Sequence, residues 1–454
     1  MVTAGAPPLA GDAGNAPCRE RVEVPFTGAA GQEHGAGELT WGQLDVWLAM
    51  REGTPGTIGG VSEVPPGTTV AVMAAALRFV LTRHPSLRTR LLVDGGTVRQ
   101  EVAAAGTATL DVVPGGEDPA ATAAAVCDRY LTTPFGPREW PVRMAAVCAT
   151  DGSVTHSVAV YQHMMIDGHG LAVLVADLTT MDPATGEAPG PPPEAVHPLE
   201  LARLQRTTAG RRQSSGSMRR WESVLRTVPP TPVPVADGPP ELLMVGFRSP
   251  ASALAVRVLA GRLGADGSAV LLAAVAVTLS RVLRTDPVVP LLAVGNRFRP
   301  GLGSAVAQLA QTGPCVLPVD GAPFAEVVAR AAQAAMGTYL RSYYDPEARG
   351  ALLRRLAAER GPVDLGVTLN DRRRAAADLP PPSPGDVLAA LPLSRYRVVP
   401  RTDLSRQRLY LGVDDVPDGI DLTMSADTRF HPQHELELVL RTVEATLVEA
   451  ALGG

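Results

Sequence analysis

The sequence contains no lysine, and its 41 Lys+Arg residues are therefore all arginine. Without lysine there is no phosphate-loop ammonium, no Schiff-base anchor and no amine nucleophile, which excludes Walker-type ATP hydrolysis and lysine-based aldol chemistry. Arginine stays protonated at physiological pH, so it orients and pairs anions but does not act as a general base. Proton transfer must fall to His, Asp, Glu, Tyr or Cys side chains.

Cysteine is also scarce, and its spacing argues against disulfides. The chain has four cysteines and no CxxC pair, a pattern typical of reduced thiols in a cytoplasmic protein. The first residues have no basic start and no apolar run, so we expect no secretion signal. The four cysteines are Cys18, Cys127, Cys148 and Cys315.

Long apolar runs and a basic charge are missing as well. The run Ala269–Val277 is far shorter than the ~20 residues that span a bilayer, so we interpret it as a buried helix and expect no membrane partner. The net charge of −5 gives no reason to expect a nucleic-acid partner, because a basic field is the usual sign of one. These features favour a globular cytoplasmic protein.

The 454 residues are enough for two lobes, and composition sets their boundaries. Residues 1–20 are rich in Gly, Ala and Pro and are predicted to be a disordered arm. Residues 21–182 form the predicted N-terminal lobe, residues 183–215 a Pro-rich linker and lobe connection, and residues 216–454 the C-terminal lobe.

Hydrophobic periodicity and capping residues predict the main elements. Helices are expected after Thr40 and at 68–83, 119–130, 269–283 and 435–452. Strands are expected at 21–26, 87–92, 98–102, 142–148, 154–161 and 288–294, and an exposed Pro-rich loop at 376–386. A further helix follows residues 163–168, so the segment 161–170 is a junction between a strand and a helix, where side chains project from a rigid scaffold.

This junction carries the most informative motif, QHMMIDG, which begins at Gln162. It resembles the HHxxxDG motif of the condensation domains of peptide synthetases, which belong to the chloramphenicol-acetyltransferase-like acyltransferases. His163, Asp167 and Gly168 match the family motif, and Gln162 replaces its first histidine.

Other landmarks of the family follow in the expected order, and together the resemblance covers roughly residues 22–452. The first resembles the opening "LTxxQ…W" helix, the second the "RHxxLRTR" segment, the third "PF…PxxR" and the fourth the arginine that follows "LLAA…G". They are Leu39-Thr40-Trp41-Gly42-Gln43 with Trp47, Arg83–Arg90, Pro134-Phe135 with Pro141-Val142-Arg143, and Gly295-Asn296-Arg297.

The resemblance implies a role for each site residue. His163 is the expected catalytic base or positioning group, and the Gly168 N–H at the helix start is expected to bind the oxyanion. Asp167 and Arg297 are expected to form a structural ion pair that fixes the loop. Gln162 is expected to keep the hydrogen-bonding role of the first histidine, since it has both a donor and an acceptor.

The resemblance also implies an architecture and a reaction. The fold would be α/β, with two chloramphenicol-acetyltransferase-like lobes of mixed sheets flanked by helices, set in a V with a central tunnel. The function would be that of a free-standing condensation enzyme in natural-product biosynthesis. It would join an acyl group, held on the phosphopantetheine of a carrier protein acting in trans, to an amine or hydroxyl of a small-molecule acceptor. No metal or bound cofactor is expected, because the donor supplies the 4'-phosphopantetheine.

Other interpretations remain open. His163 alone would by default be a structural histidine, and His163, Asp167 and His169 also fit the spacing of a metal site, although no further ligand cluster is evident. The chain could instead be a non-catalytic domain that recruits a tailoring enzyme, or a CoA-dependent O- or N-acyltransferase of the same superfamily. The clusters Arg372-Arg373-Arg374 and Arg211-Arg212 are expected to be solvated surface, with contact to an acidic carrier as the alternative.

Overall fold

The fold is described from a computed structural model of the chain. The structure describes residues 20–53, 56–230, 237, 241–373, 382–399 and 408–453. Residues 1–19 of the predicted arm, Cys18 among them, lie outside the described residues, as do residues 376–381 of the predicted Pro-rich loop.

The described residues contain strands and helices in mixed order. The strands are β1 Glu20–Thr27, β2 Gly35–Glu38, β3 Thr57–Glu63, β4 Thr89–Asp94, β5 Thr97–Val102, β6 Ala105–Pro114, β7 Val142–Cys148, β8 Val154–Gln162, β9 Leu242–Ser249, β10 Leu291–Val294, β11 Gln311–Pro314, β12 Val367–Asp371, β13 Arg395–Val399, β14 Leu409–Val416 and β15 Gly419–Asp427. The helices are α1 Trp41–Arg51, α2 Val70–Arg83, α3 Pro119–Thr132, α4 Gly168–Leu178, α5 Pro198–Arg206, α6 Thr208–Thr227, α7 Pro250–Leu263, α8 Gly267–Leu283, α9 Phe324–Tyr339, α10 Pro346–Arg360, α11 Pro384–Ala390 and α12 Gln433–Leu452. Two 3-10 turns cover Pro85–Arg88 and Leu391–Leu393.

The chain divides into two compact units. Unit 1 contains Met1–Ala36 and Thr57–Pro193, and unit 2 contains Gly37–Gly56 and Glu194–Gly454. Residues 37–56 fall within the predicted N-terminal lobe, whereas the structure groups this segment, which includes α1, with unit 2. The V-shaped arrangement with a tunnel stays a prediction.

Side-chain contacts explain why α1 belongs to unit 2. The Trp41 ring packs against Tyr343 with 4.9 Å between ring centroids, and its backbone N–H donates to Gln205 Oε1 at 2.8 Å. Arg349 Nη2, on α10, lies 2.9 Å from Oδ1 of Asp45 on α1. Periodicity shows which face of a helix is apolar but not which distant segment covers it, so the sequence could not assign α1 to a unit.

Unit 1 is built on a five-stranded mixed sheet in the order β1-β6-β7-β8-β3. The β6 and β7 pair is parallel and the other neighbours are antiparallel. The predicted edge strand is confirmed as β1, and β8 lies inside the sheet. The sequence analysis missed β3 and β6. In β3, Gly59 and Gly60 hide the strand pattern, since glycine is depleted in strands.

Unit 2 contains a seven-stranded mixed sheet in the order β11-β10-β12-β14-β15-β9-β13. Strands β10, β12 and β14 run parallel, and the remaining pairs are antiparallel. The predicted buried helix is confirmed as α8, in which every residue of Ala269–Leu279 is buried. The predicted α/β class with mixed sheets flanked by helices is confirmed.

Two Pro-rich segments are more ordered than the sequence analysis predicted. The predicted linker 183–215 contains α5 and the start of α6, and Pro198 occupies the first position of α5. The predicted loop 376–386 ends in α11, which begins at Pro384 behind a capping box at Ser383. Proline at the first position of a helix favours the helix, because its missing N–H would have no intrahelical partner there.

Length and apolar composition together decide whether a helix can span a membrane. Among the helices of the described ranges, none is by itself long and apolar enough to cross a bilayer. Helices α7 and α8 are long and apolar enough only when they are taken together, and the chain bends by 112° at the break between them.

The opening motif gives a stability test in unit 2. A Cβ atom on Gly42 would lie 2.0 Å from the backbone oxygen of Gln308, a contact that only a backbone shift relieves. We expect Gly42→Ala to lower the free energy of unfolding by about 2 kcal/mol, as overpacking does. Urea denaturation measures the change. Gly261→Ala, on an exposed site of α7 with open space around it, is the control and should not destabilise. Equal stability of the two variants would contradict the prediction.

Candidate active site

The QHMMIDG motif forms a tight connection between β8 and α4 in unit 1. Strand β8 ends at Gln162, whose N–H donates to Pro141 O at 3.0 Å in the segment leading into β7. The Met165 N–H donates back to Gln162 O at 2.9 Å and closes the turn. Helix α4 begins at Gly168. The predicted junction of strand and helix is confirmed.

Burial separates the residues of this junction into two groups. Met164–Ile166 are fully buried, and Gln162 and Asp167 are 3% and 2% exposed. His163 is partly exposed and Gly168 is exposed. The buried residues fix the backbone on both sides of His163, so its imidazole is presented from a rigid frame at a surface that a substrate can reach.

A hydrogen bond orients the His163 ring. Its Nδ1 lies 2.9 Å from the backbone oxygen of Ile166. Because a carbonyl oxygen only accepts, Nδ1 must carry the proton of this bond, and in the neutral ring Nε2 then holds the lone pair. The arrangement gives His163 a defined proton-accepting atom on the side of the ring away from the turn.

Asp167 caps the helix that follows. Its Oδ1 accepts from the Gly170 N–H at 2.7 Å, and its backbone oxygen accepts from the Leu171 N–H at 2.9 Å. The Gly168 N–H precedes this ladder and has no acceptor within the helix, as is general for the first position. A Cβ atom on Gly168 would meet nothing within 4 Å. The helix start therefore offers open space and a partial positive charge at the end of the turn that contains His163.

Other candidate proton carriers are held protonated by burial. Burial raises the pKa of Tyr161, the residue two before His163, to about 12. It also raises the pKa of Cys315 to about 12, although Thr338 and Arg220 oppose the shift. For Cys148, burial first and the charge of Glu20 second raise the pKa of the thiol. Near neutral pH these three groups are poor bases and poor nucleophiles, whereas the neutral His163 ring keeps a lone pair on Nε2.

The far end of α4 is anchored by a buried carboxylate that the sequence analysis did not select. Asp177 Oδ1 and Oδ2 accept from Arg83 Nη2 and Nε, both at 2.7 Å, and His84 Nε2 lies 2.9 Å from Oδ2. Burial alone would raise the pKa of Asp177, but the hydrogen bonds and charges of His84 and Arg83 outweigh it and lower the pKa to about 2. The sequence feature that could have indicated this ion pair is an aspartate on the apolar face of a predicted helix, because a buried charge without a partner is unfavourable.

These contacts bring two of the sequence landmarks together. Arg83-His84 at the end of α2 and the motif helix α4 are far apart in the chain and are joined at Asp177. A third landmark, Arg143 on β7, holds the loop before its own strand. Its guanidinium lies 4.0 Å above the Phe135 ring and donates to Thr133 O at 2.6 Å and to Pro134 O at 2.9 Å.

The fourth landmark, Arg297, lies in unit 2. It donates to the backbone oxygens of Leu302, Ala305 and Ala307 in the loop after β10. Asp167 lies in unit 1, and the predicted ion pair between Asp167 and Arg297 stays a prediction.

A metal site at His163, Asp167 and His169 would need several ligand side chains close together. Over the ranges that the structure describes, no group of three or more His, Cys, Asp or Glu side chains is placed to hold a metal ion. The roles given to His163, Gly168, Asp167, Arg297 and Gln162 stay predictions.

Comparison with known families decides the relationship of the chain. The model of the condensation domain family matches residues 60–358. The chain belongs to the condensation domain family.

A curated relative supports this membership. Phosphinothricin tripeptide synthetase PhsC of Streptomyces viridochromogenes is 28% identical over 260 residues, which cover 54% of this chain and 24% of the synthetase. The chain thus spans about a quarter of the length of that curated relative. What the whole synthetase does is not carried over to this condensation domain.

Solved structures share the fold. The starter condensation domain of rhizomide synthetase, in complex with C8-CoA, has a TM-score of 0.71 at 19% identity, over 92% of this chain and 95% of that one. The epimerization domain from the third module of tyrocidine synthetase B has a TM-score of 0.70 at 13% identity, over 94% and 100% of the two chains. At such identities the likeness shows the fold alone. A condensation domain and an epimerization domain both have this fold.

The anchor at Asp177 gives a pH-dependent prediction. The pKa of Asp177 is about 2 in the folded chain and near ~3.9 in an unfolded one. Its charge therefore stabilises the fold fully above pH ~4, and this contribution is lost as the pH falls toward 2. We expect Asp177→Asn to lower the free energy of unfolding at pH 7 by about 2 kcal/mol, a difference that shrinks below pH ~4.

Urea denaturation at several pH values checks this. Asp414→Asn is the matched control, since Asp414 pairs with Arg372 on a more exposed surface, where its loss should cost about 0.5 kcal/mol. A difference for Asp177→Asn that stays constant from pH 7 to pH 3 would show that its charge does not act as described.

Proposed function

We propose that this condensation domain is an acyltransferase. It joins an acyl or aminoacyl group, held as a thioester on the phosphopantetheine of a carrier protein, to the amine or hydroxyl of a small-molecule acceptor. The observation that carries the proposal is the oriented His163 ring, with its Nδ1 bonded to Ile166 O and its Nε2 left as acceptor, in the same turn that leads to the open helix start at Gly168.

In the proposed reaction, His163 Nε2 takes the proton from the acceptor as its nitrogen or oxygen attacks the thioester carbonyl. The new carbon–heteroatom bond gives a tetrahedral intermediate, whose oxyanion accepts a hydrogen bond from the Gly168 N–H. The carbon–sulfur bond then breaks, and the thiolate leaves with the proton that His163 returns. The products are an amide or ester and a free phosphopantetheine thiol, so atoms and charge balance without a metal or a redox partner.

The role of Asp167 in this proposal is structural. Its cap on Gly170 keeps the first turn of α4 intact, so the Gly168 N–H keeps its direction. The pairing of Asp167 with Arg297 that the family resemblance implies would fix the loop that holds His163. Gln162, buried at the end of β8, would keep a donor and an acceptor behind the histidine.

Family membership supports the acyl-transfer reaction over unrelated chemistry, and the donor remains part of the proposal. The phosphopantetheine arm enters as substrate, because the donor carries it. The carrier is expected to act in trans. The alternatives are a domain that recruits a tailoring enzyme, a CoA-dependent acyltransferase, and an epimerase like the related domain of tyrocidine synthetase.

The experiment incubates the chain with acyl-loaded carrier proteins encoded beside its gene, with the matching acyl-CoA, and with candidate amines and alcohols. Mass spectrometry follows amide or ester formation. Transfer from the carrier supports the proposal, and transfer from CoA alone favours the CoA-dependent enzyme. Inversion of a carrier-bound aminoacyl group without transfer identifies an epimerase, and carrier binding without any chemistry identifies a recruitment domain.

His163→Ala tests the proposed base. General base catalysis contributes roughly 10²–10⁴-fold, so we expect kcat to fall by at least about 10²-fold. The circular dichroism spectrum and the Tm should stay unchanged, because the ring is partly exposed and makes one hydrogen bond with its own turn. His34→Ala, an exposed histidine elsewhere in unit 1, is the control and should keep full activity. Full turnover by His163→Ala would remove His163 from the mechanism.

Gly168→Ala tests the open space at the helix start. The backbone of Gly168 has no positive φ, and the added methyl group meets no atom of the chain, so the fold should be unchanged. The methyl group would occupy the space that the reacting oxygen must approach. We expect kcat to fall by at least about tenfold while the Tm is kept. Gly261→Ala controls for the glycine-to-alanine change, and wild-type turnover by Gly168→Ala would exclude an oxyanion site at Gly168.

A further inference from the structure

A group of arginines on unit 2 has no acidic partner. Arg219 and Arg220 lie on α6, and Arg341 follows the end of α9, all three exposed. No carboxylate of the described ranges pairs with any of the three side chains. Farther along α6, by contrast, the exposed Arg226 is paired with Glu222.

Two of these guanidinium groups face the same spot. A Cβ atom built on Gly216 of α6 would lie 3.6 Å from Arg341 Nη1 and 3.7 Å from Arg219 Nη2. Both cations thus converge over a glycine, where no side chain of α6 separates them. Two positive charges that lie near the same Cβ position repel each other, and an anion bound between them would remove the repulsion.

The convergence is held by buried contacts behind it. Ser214 Oγ accepts from the Asp345 N–H at 3.0 Å, and Ser217 Oγ donates to Tyr343 O at 2.9 Å. The Trp221 ring packs against Tyr344 with 5.6 Å between centroids. These contacts fix α6 against the segment that carries Arg341, so the two backbone positions are set before any partner binds.

Apolar side chains adjoin the arginines. Met336 and Leu340 are one turn apart on α9 and its end, and they are 59% and 52% exposed. Between them, a Cβ atom on Gly337 would lie 3.1 Å from Arg220 Nη2, so the Arg220 guanidinium reaches the same face. We call the surface formed by Arg219, Arg220, Met336, Leu340 and Arg341 the α6/α9 face.

We propose that the α6/α9 face is the docking surface for an acidic face of the carrier protein that delivers the thioester, an inference that rests on the proposed function. The chain has a net charge of −5, so an acidic partner is repelled by most of it and steered to a positive face. A small free anion would need only the arginines. The exposed Met336 and Leu340 provide the apolar contact that a protein interface requires.

One of the two arginine clusters seen in the sequence fits this role less well. In the cluster that begins at Arg372, Arg372 pairs with Asp414 and Arg373 pairs with Asp371. Their charges are thus already compensated within the chain, unlike those of the α6/α9 face.

The test uses the full chain and phosphopantetheinylated carrier proteins encoded beside its gene, each labelled on the pantetheine thiol. Fluorescence anisotropy gives Kd at several salt concentrations. For the Arg219→Ala/Arg341→Ala double variant we expect Kd to rise by about tenfold or more and to depend less on salt. Arg330→Ala, which removes a charge from α9 that is already paired with Glu326, should change Kd by less than about twofold.

A second variant separates docking from folding. Gly216→Glu adds a good helix former to α6 and places a carboxylate where the guanidinium groups of Arg219 and Arg341 converge. We expect its Tm to be at least that of the unmutated chain and its carrier affinity to fall by about tenfold. Gly261→Glu, with the same charge change on α7, should bind like the unmutated chain.

Transfer assays distinguish failure of this inference from failure of the proposed function. With the acyl group on N-acetylcysteamine, the double variant and Gly216→Glu should keep full kcat/KM, while kcat/KM for the carrier-bound donor falls. His163→Ala should bind the carrier with unchanged Kd. Normal carrier binding by both α6/α9 variants, or no carrier binding by the unmutated chain, overturns the docking surface. Absence of transfer from every thioester overturns the proposed function, whatever the binding result.

Discussion

The geometry of the candidate site depends on the buried carboxylate of Asp177. It ties the far end of α4 to the end of α2 through Arg83 and His84, while Asp167 caps the near end of α4. With both ends held, the helix start at Gly168 and the ring of His163 keep one orientation. Hydrogen bonds to charged groups in partly buried sites are among the stronger ones in proteins, which suits an anchor that must not move.

Arginine makes the cationic hydrogen bonds and ion pairs that arginine and lysine both make in other proteins. Arg83 binds a carboxylate with two nitrogens, and Arg143 and Arg297 each bind several backbone oxygens at once. A planar group with five donors can satisfy such sets of acceptors, whereas a lysine ammonium acts as a single point of charge. The absence of lysine thus removes amine chemistry from the site without weakening the loops around it.

The sequence predicted local features well and long-range ones poorly. The turn between β8 and α4, the Thr40 cap and the buried α8 depend on neighbouring residues, and each is found where it was predicted. The placement of α1 with unit 2 depends on Tyr343 and Gln205, which lie far away in the chain. The ion pairs of Asp177 are also long-range, because their partners Arg83 and His84 lie far from Asp177 in the sequence. The site motif was recognisable because its residues are contiguous.

The central claim is that His163 Nε2 is the proton acceptor at the start of α4. Nitrogen-15 NMR of the unmutated chain, with His163→Ala to assign the signal, reports directly which ring nitrogen carries the proton at a pH where the ring is neutral. The account predicts a protonated Nδ1, bonded to the Ile166 carbonyl, and an Nε2 with a free lone pair. A neutral ring with the proton on Nε2 would contradict it.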